Sequence, residues 1–240
     1  MADPLDELQL LLRTGVDRCR SAQVPYVVAV TGSVAVAKSA TAQVLRESLS
    51  HGPDGARVEV VSSDGFLFPN RVLDAQGLTM RKGFPESFDR DALLAFLAAV
   101  KAGARDLRVP VYSHEDYDVL DEYQVLGAAD VVIVEGLHLL ALSDAIDIGI
   151  YVDAAEADIE QWFVDRFLVL RNSGHSFYRQ FAGFSDDQAT SFARQVWESI
   201  NRVNLLECIL PTRELADVVI EKGPDHSVVR IRRPRGNMTP

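Results

Sequence analysis

The chain has 240 residues, of which 48% are hydrophobic, and 24 basic against 35 acidic side chains give a formal net charge of −11. This length and apolar content suit one large α/β domain over residues 1–240, and the acidic balance argues against nucleic acid as a partner. No run of about 18 apolar residues occurs, so we predict no membrane span. The opening residues lack a basic and apolar leader, and the two cysteines form no disulfide framework. We therefore expect a cytoplasmic protein.

A phosphate-binding loop is the first strong signal along the chain. Residues 1–24 are predicted to form an N-terminal helix, and an apolar strand follows over Val27–Val30. Next comes the G-x-x-x-x-G-K-[ST] spacing, with Ala37 where the second glycine belongs. The loop residues are Gly32, Ser33, Val34, Ala35, Val36, Ala37, Lys38 and Ser39. A helix over 38–50 completes a strand–loop–helix unit.

The residue types in this loop suit a polyphosphate and Mg²⁺. Unpaired main-chain N–H groups at a helix start attract phosphate, Lys38 would reach the β- and γ-phosphates, and the Ser39 hydroxyl would bind Mg²⁺. Ala37 leaves two alternatives open. If it needs a positive φ, strain of about 1 kcal/mol follows, whereas a helical φ makes its methyl nearly harmless. An ordinary strand–turn–helix with a surface lysine is the simpler interpretation.

Carboxylates follow two further buried strands. Asp64 comes after the strand 58–61, and Glu135 after the strand 128–134. Open α/β sheets bind ligands at such strand ends, where a carboxylate can accept a proton or hold Mg²⁺. A turn aspartate before glycine is the alternative for Asp64. A fourth apolar strand over 148–152 favours a parallel sheet covered on both faces.

The middle of the chain is rich in loops and polar groups. Residues 66–88 are predicted to be an irregular binding loop that contains the basic pair Arg81 and Lys82. An amphipathic helix over 89–101 follows, and 109–112 is predicted as a short strand. The polar cluster Tyr112, His114 and Tyr117 could hydrogen-bond a small substrate; alternatively, 115–122 is a solvated acidic loop.

The C-terminal part continues the α/β pattern. A helix over 155–170 carries Arg166 on its apolar face, and Arg166 and Arg171 are candidate cations for a lid. Arginines on the helix surface are the alternative for both. A capping box starts a helix over 185–201, which Asn201 and Asn204 are predicted to end. Strands over 216–221 and 228–231 flank His226, and residues 233–240 are predicted to fray.

Several segments resemble one kinase family. They are GSVAVAKSATAQVL, SSDGFLFPN, RKGFPESFD, PVYSHEDYDV, VVIVEGLHLL, IYVDAAEADIEQWFVDRFLVLR, INRVNLLECILPTRELAD and DHSV. Together they resemble the prokaryotic-type (type I) pantothenate kinases, a branch of the P-loop kinases that includes uridine kinases and phosphoribulokinases. The combination of RKGFPES with PVYSH is nearly diagnostic of that branch.

The resemblance implies a P-loop NTPase fold, a three-layer sandwich with a mostly parallel central sheet. It also implies ATP-dependent phosphorylation of pantothenate to 4′-phosphopantothenate, the first step toward coenzyme A, with Mg²⁺ held by Ser39 and Glu135. Asp64 would be the catalytic base and act with Lys38. The ATP site would comprise residues 32–40, including Ala40, with His226 near the adenine. The acceptor pocket would comprise Tyr112, His114, Tyr117, Arg166 and Asn201.

The sequence also departs from the family pattern. Ala37 replaces a glycine, and His138 replaces an asparagine. Gln43 stands where the family has an arginine that helps to bind coenzyme A, and Phe163 stands where it has a tyrosine of the pantothenate pocket. Three alternatives remain: an active pantothenate kinase, a kinase for another small hydroxyl acceptor such as a nucleoside, or a nucleotide-binding protein with little catalysis. Family members pair through a long helix, so we expect a homodimer.

Overall fold

The computed structural model describes residues 4–51 and 55–233. A six-stranded sheet lies at its centre, in the order β2-β5-β1-β6-β7-β8, and a separate hairpin is formed by β3 and β4. All neighbours in the large sheet are parallel except β7 and β8. The strands are β1 (Tyr26–Gly32), β2 (Val58–Ser62), β3 (Leu107–Ser113), β4 (Asp118–Leu126), β5 (Val131–Gly136), β6 (Ile148–Ala154), β7 (Val218–Lys222) and β8 (Val228–Arg232).

Helices flank this sheet and make a three-layer α/β sandwich. They are α1 (Pro4–Ala22), α2 (Lys38–Ser50), α3 (Asn70–Ala75), α4 (Arg90–Lys101), α5 (Glu156–Arg171), α6 (Asp186–Val196) and α7 (Arg202–Asn204). The mostly parallel sheet confirms the predicted fold class. Residues 1–3 and 234–240, at the two ends of the chain, lie outside the described residues. In residues 4–51 and 55–233, no helix is long and apolar enough to cross a membrane.

The centre of the sheet is the most buried part of the core. Every residue of β1 and β5 is buried, and the two strands run side by side in register from Tyr26 opposite Val131 to Thr31 opposite Gly136. Layers that cover both faces explain why these strands are continuous apolar runs. Because parallel strands end at the same edge, this packing brings the segments after β1, β2 and β5 together.

The acidic stretch 115–122 is largely a strand, which contradicts the loop alternative. From Asp118 onward it forms β4, which pairs antiparallel with β3 from Asp118 opposite Ser113 to Leu126 opposite Leu107. Most of β4 is exposed. Main-chain hydrogen bonds rather than burial hold this hairpin, so its polar composition did not reveal a strand.

The last long helix extends beyond its predicted end. The capping box of Ser185 and Gln188 is confirmed, with both reciprocal hydrogen bonds formed. The prediction that Asn201 and Asn204 end the helix was wrong. The chain stays helical through a π-helical turn (Trp197–Asn201), α7 and a second π-helical turn (Leu205–Ile209). Asn204 is buried there because its side-chain amide donates to the Gly83 carbonyl.

Arg171 is a structural residue, and its prediction as a lid cation was wrong. Its side chain is buried and donates to the carbonyls of Phe184 and Ser185, and it pairs with Asp186 at the start of α6. The guanidinium therefore fixes the segment between α5 and α6 and is not available to a ligand.

We expect Arg171→Met to lower the free energy of unfolding by about 2 kcal/mol, because two carbonyls would lose their charged donor and the ion pair with Asp186 would be lost. Arg166→Met is the matched control. Arg166 is exposed on the same helix, so this change should stay within about 0.5 kcal/mol. Urea denaturation measures both values. Equal losses for the two variants would contradict the structural role of Arg171.

Candidate active site

The phosphate loop joins β1 to α2 through a left-handed turn. Ala37 has φ 61° and ψ 45°, and Ala35 has φ 61°, so both occupy the region that favours glycine. This decides between the two alternatives for Ala37: it does need a positive φ. Gly32 is required for a different reason, because a Cβ there would lie 2.3 Å from the Val152 carbonyl oxygen of β6.

Lys38 folds back over this loop. Its Nζ donates to the Ser33 carbonyl oxygen at 2.8 Å. Burial lowers the pKa of Lys38, while the nearby carboxylates of Glu135 and Asp64 favour its charged form. The loop thus has one ammonium group between two acids, at the first residue of α2.

Glu135 lies at the end of β5 and is only 8% exposed. Burial raises its pKa and the negative charge of Asp64 adds to this effect, whereas Lys38 and the hydroxyls of Ser62 and Ser39 lower the pKa. In the described part of the chain, no three His, Cys, Asp or Glu side chains gather into a metal site. Mg²⁺ in kinases is commonly held by one or two protein groups and the nucleotide phosphates, so the Ser39–Glu135 pair fits it.

Asp64 occupies the first turn after β2. It is the second residue of a short 3₁₀ turn, Ser63–Phe66, and its N–H donates to the Ser62 hydroxyl at 3.3 Å. Its charge acts on the pKa values of groups on both sides, namely Lys38, Lys82, Tyr112, His114, Tyr117 and Glu135. The turn also packs against the hairpin, because a Cβ at Gly65 would lie 2.0 Å from the Pro110 carbonyl oxygen of β3. Since β2 adjoins β5, which adjoins β1, Asp64 lies between the phosphate loop and the polar cluster of the β3–β4 hairpin.

That cluster is built from aromatic rings. The centroid of Tyr112 lies 5.2 Å from that of His114 and 6.4 Å from that of Tyr117, and Tyr117 stacks on Phe177 at 4.3 Å. Burial raises the pKa of Tyr112 and that of Tyr117, the latter to about 12, so both remain hydrogen-bond donors. Burial also lowers the pKa of His114 and so favours a neutral ring, whereas the negative charge of Asp64 opposes this effect.

Lys82 completes the cluster, although no role was predicted for it from the sequence. Its Nζ donates to Asn70 Oδ1 at 2.7 Å and to the Tyr117 carbonyl, and it lies 4.1 Å from the centroid of the Tyr117 ring and 5.1 Å from that of Tyr112. Burial lowers its pKa to about 8, while Asp118 and Asp64 oppose this change. The basic pair Arg81–Lys82 in a predicted binding loop was the available signal. Arg81 differs from Lys82 because it pairs with Glu86.

A cleft of about 490 Å³ opens beside the phosphate loop. It is lined by Ala35, Ala37, Lys38, Ser39, Trp162, Asp165, Arg166, Val169, Leu170 and His226. His226 stacks on Trp162 with ring centroids 3.9 Å apart, and the Trp162 indole N–H donates to the Pro224 carbonyl. The cleft thus has phosphate-binding elements along one side and an aromatic surface along another, as a nucleotide requires.

The remaining predicted residues differ in how they lie relative to the cleft. Arg166 is exposed, although the sequence put it on an apolar face, and it lines the cleft. Val36 is fully buried in the core, so only its main chain could face a phosphate. Ala40 is exposed in the first turn of α2, and Asn201 is half-buried in the first π-helical turn. His138 contacts the Gly83 carbonyl through Nε2 at 2.8 Å.

A phosphate loop between β1 and α2, with acidic groups at the neighbouring strand ends and a nucleotide-sized cleft, defines a P-loop kinase acting on a small molecule. Residues 27–166 match the phosphoribulokinase/uridine kinase family. The chain belongs to this family and, within it, to the pantothenate kinases, as its relatives show.

One relative is a pantothenate kinase of Sorangium cellulosum, 49% identical over 225 residues that cover 87% of this chain and 73% of that protein. Another, from Myxococcus xanthus, is 47% identical and covers 88% and 72%, respectively. Among solved structures, a putative fructose transport system kinase from Silicibacter sp. TM1040 is similar with a TM-score of 0.64. It is 26% identical, and the match covers 76% of this chain and 84% of that one.

We expect Ala37→Gly to raise the free energy of unfolding by about 1 kcal/mol, because glycine adopts the left-handed conformation without the cost that a Cβ imposes. ATP should also bind more tightly, since the Ala37 methyl no longer narrows the cleft. Chemical denaturation and calorimetric titration with ATP measure the two effects.

Ala95→Gly is the control for this substitution. Ala95 is exposed in the interior of α4, so the same chemical change should lower stability there by about 0.5–1 kcal/mol. If both variants lost stability to the same extent, the strain assigned to Ala37 would be wrong.

Proposed function

We propose that the protein transfers the γ-phosphoryl group of ATP to the primary hydroxyl of pantothenate and so forms 4′-phosphopantothenate, the first step toward coenzyme A. The observation that carries this proposal is the turn that carries Asp64: it follows β2 at the sheet edge of the phosphate loop, and at Gly65 it packs against Pro110 of the hairpin. The relatives named pantothenate kinase support the identity of the acceptor.

The nucleotide would lie in the cleft with its base near His226 and its phosphates on the main-chain amides of residues 32–40. Lys38 would leave the Ser33 carbonyl to neutralise charge on the β- and γ-phosphates. Ser39 and Glu135 would hold Mg²⁺, which supplies further positive charge at the transferred group. Arg166, exposed at the cleft wall, is free to approach the same phosphates.

The acceptor would bind at the hairpin cluster. Its reacting hydroxyl lies near Asp64, which accepts the proton as the oxygen attacks the γ-phosphorus in line. Tyr112 and Tyr117 offer hydroxyl donors, a neutral His114 offers one donor and one acceptor, and Lys82 offers a cation. Asn201 would complete the pocket from the π-helical turn. This combination suits a small, polar and negatively charged substrate such as pantothenate.

One observation favours a second candidate acceptor. Phe163 stands where the family has a pocket tyrosine, and its ring packs 6.1 Å from that of Trp197. The missing hydroxyl removes one donor from the pocket, so a different small hydroxyl compound, such as a nucleoside or a pantothenate analogue, is the alternative. A protein that binds nucleotide with little catalysis is the third possibility. One kinase domain over residues 1–240 and a homodimer complete the proposal.

An ADP-release assay with pantothenate, uridine and a small sugar panel distinguishes these candidates. We expect Mg²⁺-dependent release with pantothenate alone. Release with another acceptor instead would replace pantothenate by that compound. No release with any acceptor, together with ATP binding seen by calorimetry, would establish the nucleotide-binding alternative and overturn the proposed activity.

We further expect Asp64→Asn to lower kcat at least a hundredfold with the dissociation constant of ATP nearly unchanged, because the amide keeps the shape of the side chain but cannot accept the proton. Steady-state kinetics and calorimetry measure the two quantities. Asp74→Asn is the control, since Asp74 lies on α3 and its carboxylate accepts a hydrogen bond from the Thr79 hydroxyl. A parallel loss of turnover and ATP affinity in Asp64→Asn would contradict the role of a base.

A further inference from the structure

Three segments of the chain meet at one main-chain carbonyl. The Gly83 oxygen accepts a hydrogen bond from His138 Nε2 at 2.8 Å and another from Asn204 Nδ2 at 2.7 Å. His138 follows β5 and its Glu135, Gly83 belongs to the 66–88 loop, and Asn204 belongs to the helical stretch after α6. We call the three residues the Gly83 joint.

The joint is partly buried and holds two left-handed residues. His138 has φ 60° and Gly83 has φ 92°. The His138 ring is half-buried, with its centroid 5.9 Å from that of Phe88. A non-glycine residue in this conformation costs about 1 kcal/mol or more and persists only where its surroundings hold it. The hydrogen bond to Gly83 provides such a constraint at His138.

The protonation state of His138 follows from its partner. A carbonyl oxygen only accepts hydrogen bonds, so Nε2 must carry the proton. Burial lowers the pKa of His138; Glu86 and the carbonyls of Gly83 and Cys208 favour the charged ring, whereas Lys38 disfavours it. A neutral ring protonated at Nε2 is therefore the form that holds the joint at neutral pH.

The residue that the joint holds in place is Lys82. It directly precedes Gly83, and its Nζ reaches Asn70, the Tyr117 carbonyl and the faces of Tyr112 and Tyr117. Glycine is the most permissive residue, so the direction of the chain at Gly83 depends on what its carbonyl and N–H bind. The N–H donates to the Ser87 hydroxyl at 2.9 Å, within the same loop. Among residues 4–51 and 55–233, only His138 and Asn204 anchor Gly83 to other segments through these groups.

We propose that His138 is a positioning residue for the phosphoryl acceptor, because its hydrogen bond to Gly83 keeps the Lys82 ammonium beneath the tyrosine rings beside Asp64. It acts through Lys82 and does not touch the acceptor. The inference rests on the proposed function for the identity of the acceptor. The placement of Lys82 itself can be tested without any substrate.

His138→Leu and His138→Gln form a matched pair for the test. Both keep much of the side-chain volume, but only glutamine retains an N–H donor at a comparable reach. We expect the leucine variant to raise the KM for pantothenate about tenfold, with kcat and the KM for ATP changed less than twofold. The glutamine variant should recover most of the acceptor KM. Equal rises of both KM values in the leucine variant would overturn the proposal.

The second measurement needs no acceptor. Lys82 acylation by a water-soluble amine reagent, followed by peptide mass spectrometry, should be several-fold faster in His138→Leu than in the wild-type or His138→Gln protein. Lys101, paired with Asp147, serves as the internal control. If His138→Leu had a lower Tm but an unchanged rate of Lys82 acylation, His138 would be a packing residue and the proposal would be wrong. Faster acylation of Lys82 in His138→Leu, in a protein that does not phosphorylate pantothenate, would support the positioning role and reject only the proposed acceptor.

Discussion

The site depends on the close approach of Gly32 at the end of β1 to the Val152 carbonyl of β6. A side chain at Gly32 would collide with that oxygen at 2.3 Å, so the phosphate loop can leave the sheet in this direction only because the residue is glycine. The strand pairs around it are parallel, and their carboxyl ends place Glu135 and the segment that carries Asp64 at the same edge. The chemistry of the site follows from this strand register.

Lys38 and the acids at this edge stabilise each other, whereas Asp64 disfavours the charged form of Glu135. A half-buried Lys38 loses hydration, and the acids Glu135 and Asp64 partly offset that cost. Burial raises the pKa of Glu135, and Lys38 and two hydroxyls oppose that rise. In a chain of net charge −11, the attraction of a polyphosphate therefore relies on a few placed cations and main-chain amides. In the proposed function, an incoming nucleotide would replace the Ser33 carbonyl as the partner of Lys38.

The parts of the structure that followed from the sequence are those with strong local or periodic signals. Continuous apolar runs predicted the buried parallel strands, and the Ser185–Gln188 capping box predicted the start of α6. Exposed features and contacts beyond one element were not visible in the sequence. Strand β4 is held by pairing, Arg171 on α5 binds the residues that start α6, and Asn204 donates to a carbonyl 121 residues away. The site shows the same limit. Motifs predicted Lys38, Asp64 and Glu135, whereas Lys82 gains its surroundings only when the 66–88 loop folds over the hairpin.

The left-handed alanines of the phosphate loop show how a fold can retain an unfavourable backbone conformation. Each of Ala35 and Ala37 adopts a φ of 61°, which costs an L-residue about 1–2 kcal/mol. The flanking elements impose this conformation, since Val36 between them is fully buried and α2 buries Ala42, Leu45 and Leu49 on the same core. Relaxing either alanine would move Val36 or the first turn of α2, and burial of one such side chain is worth about 1.5–3 kcal/mol. Packing thus outweighs the strain, and the loop keeps the shape of a glycine-containing phosphate loop although one glycine of the motif is missing.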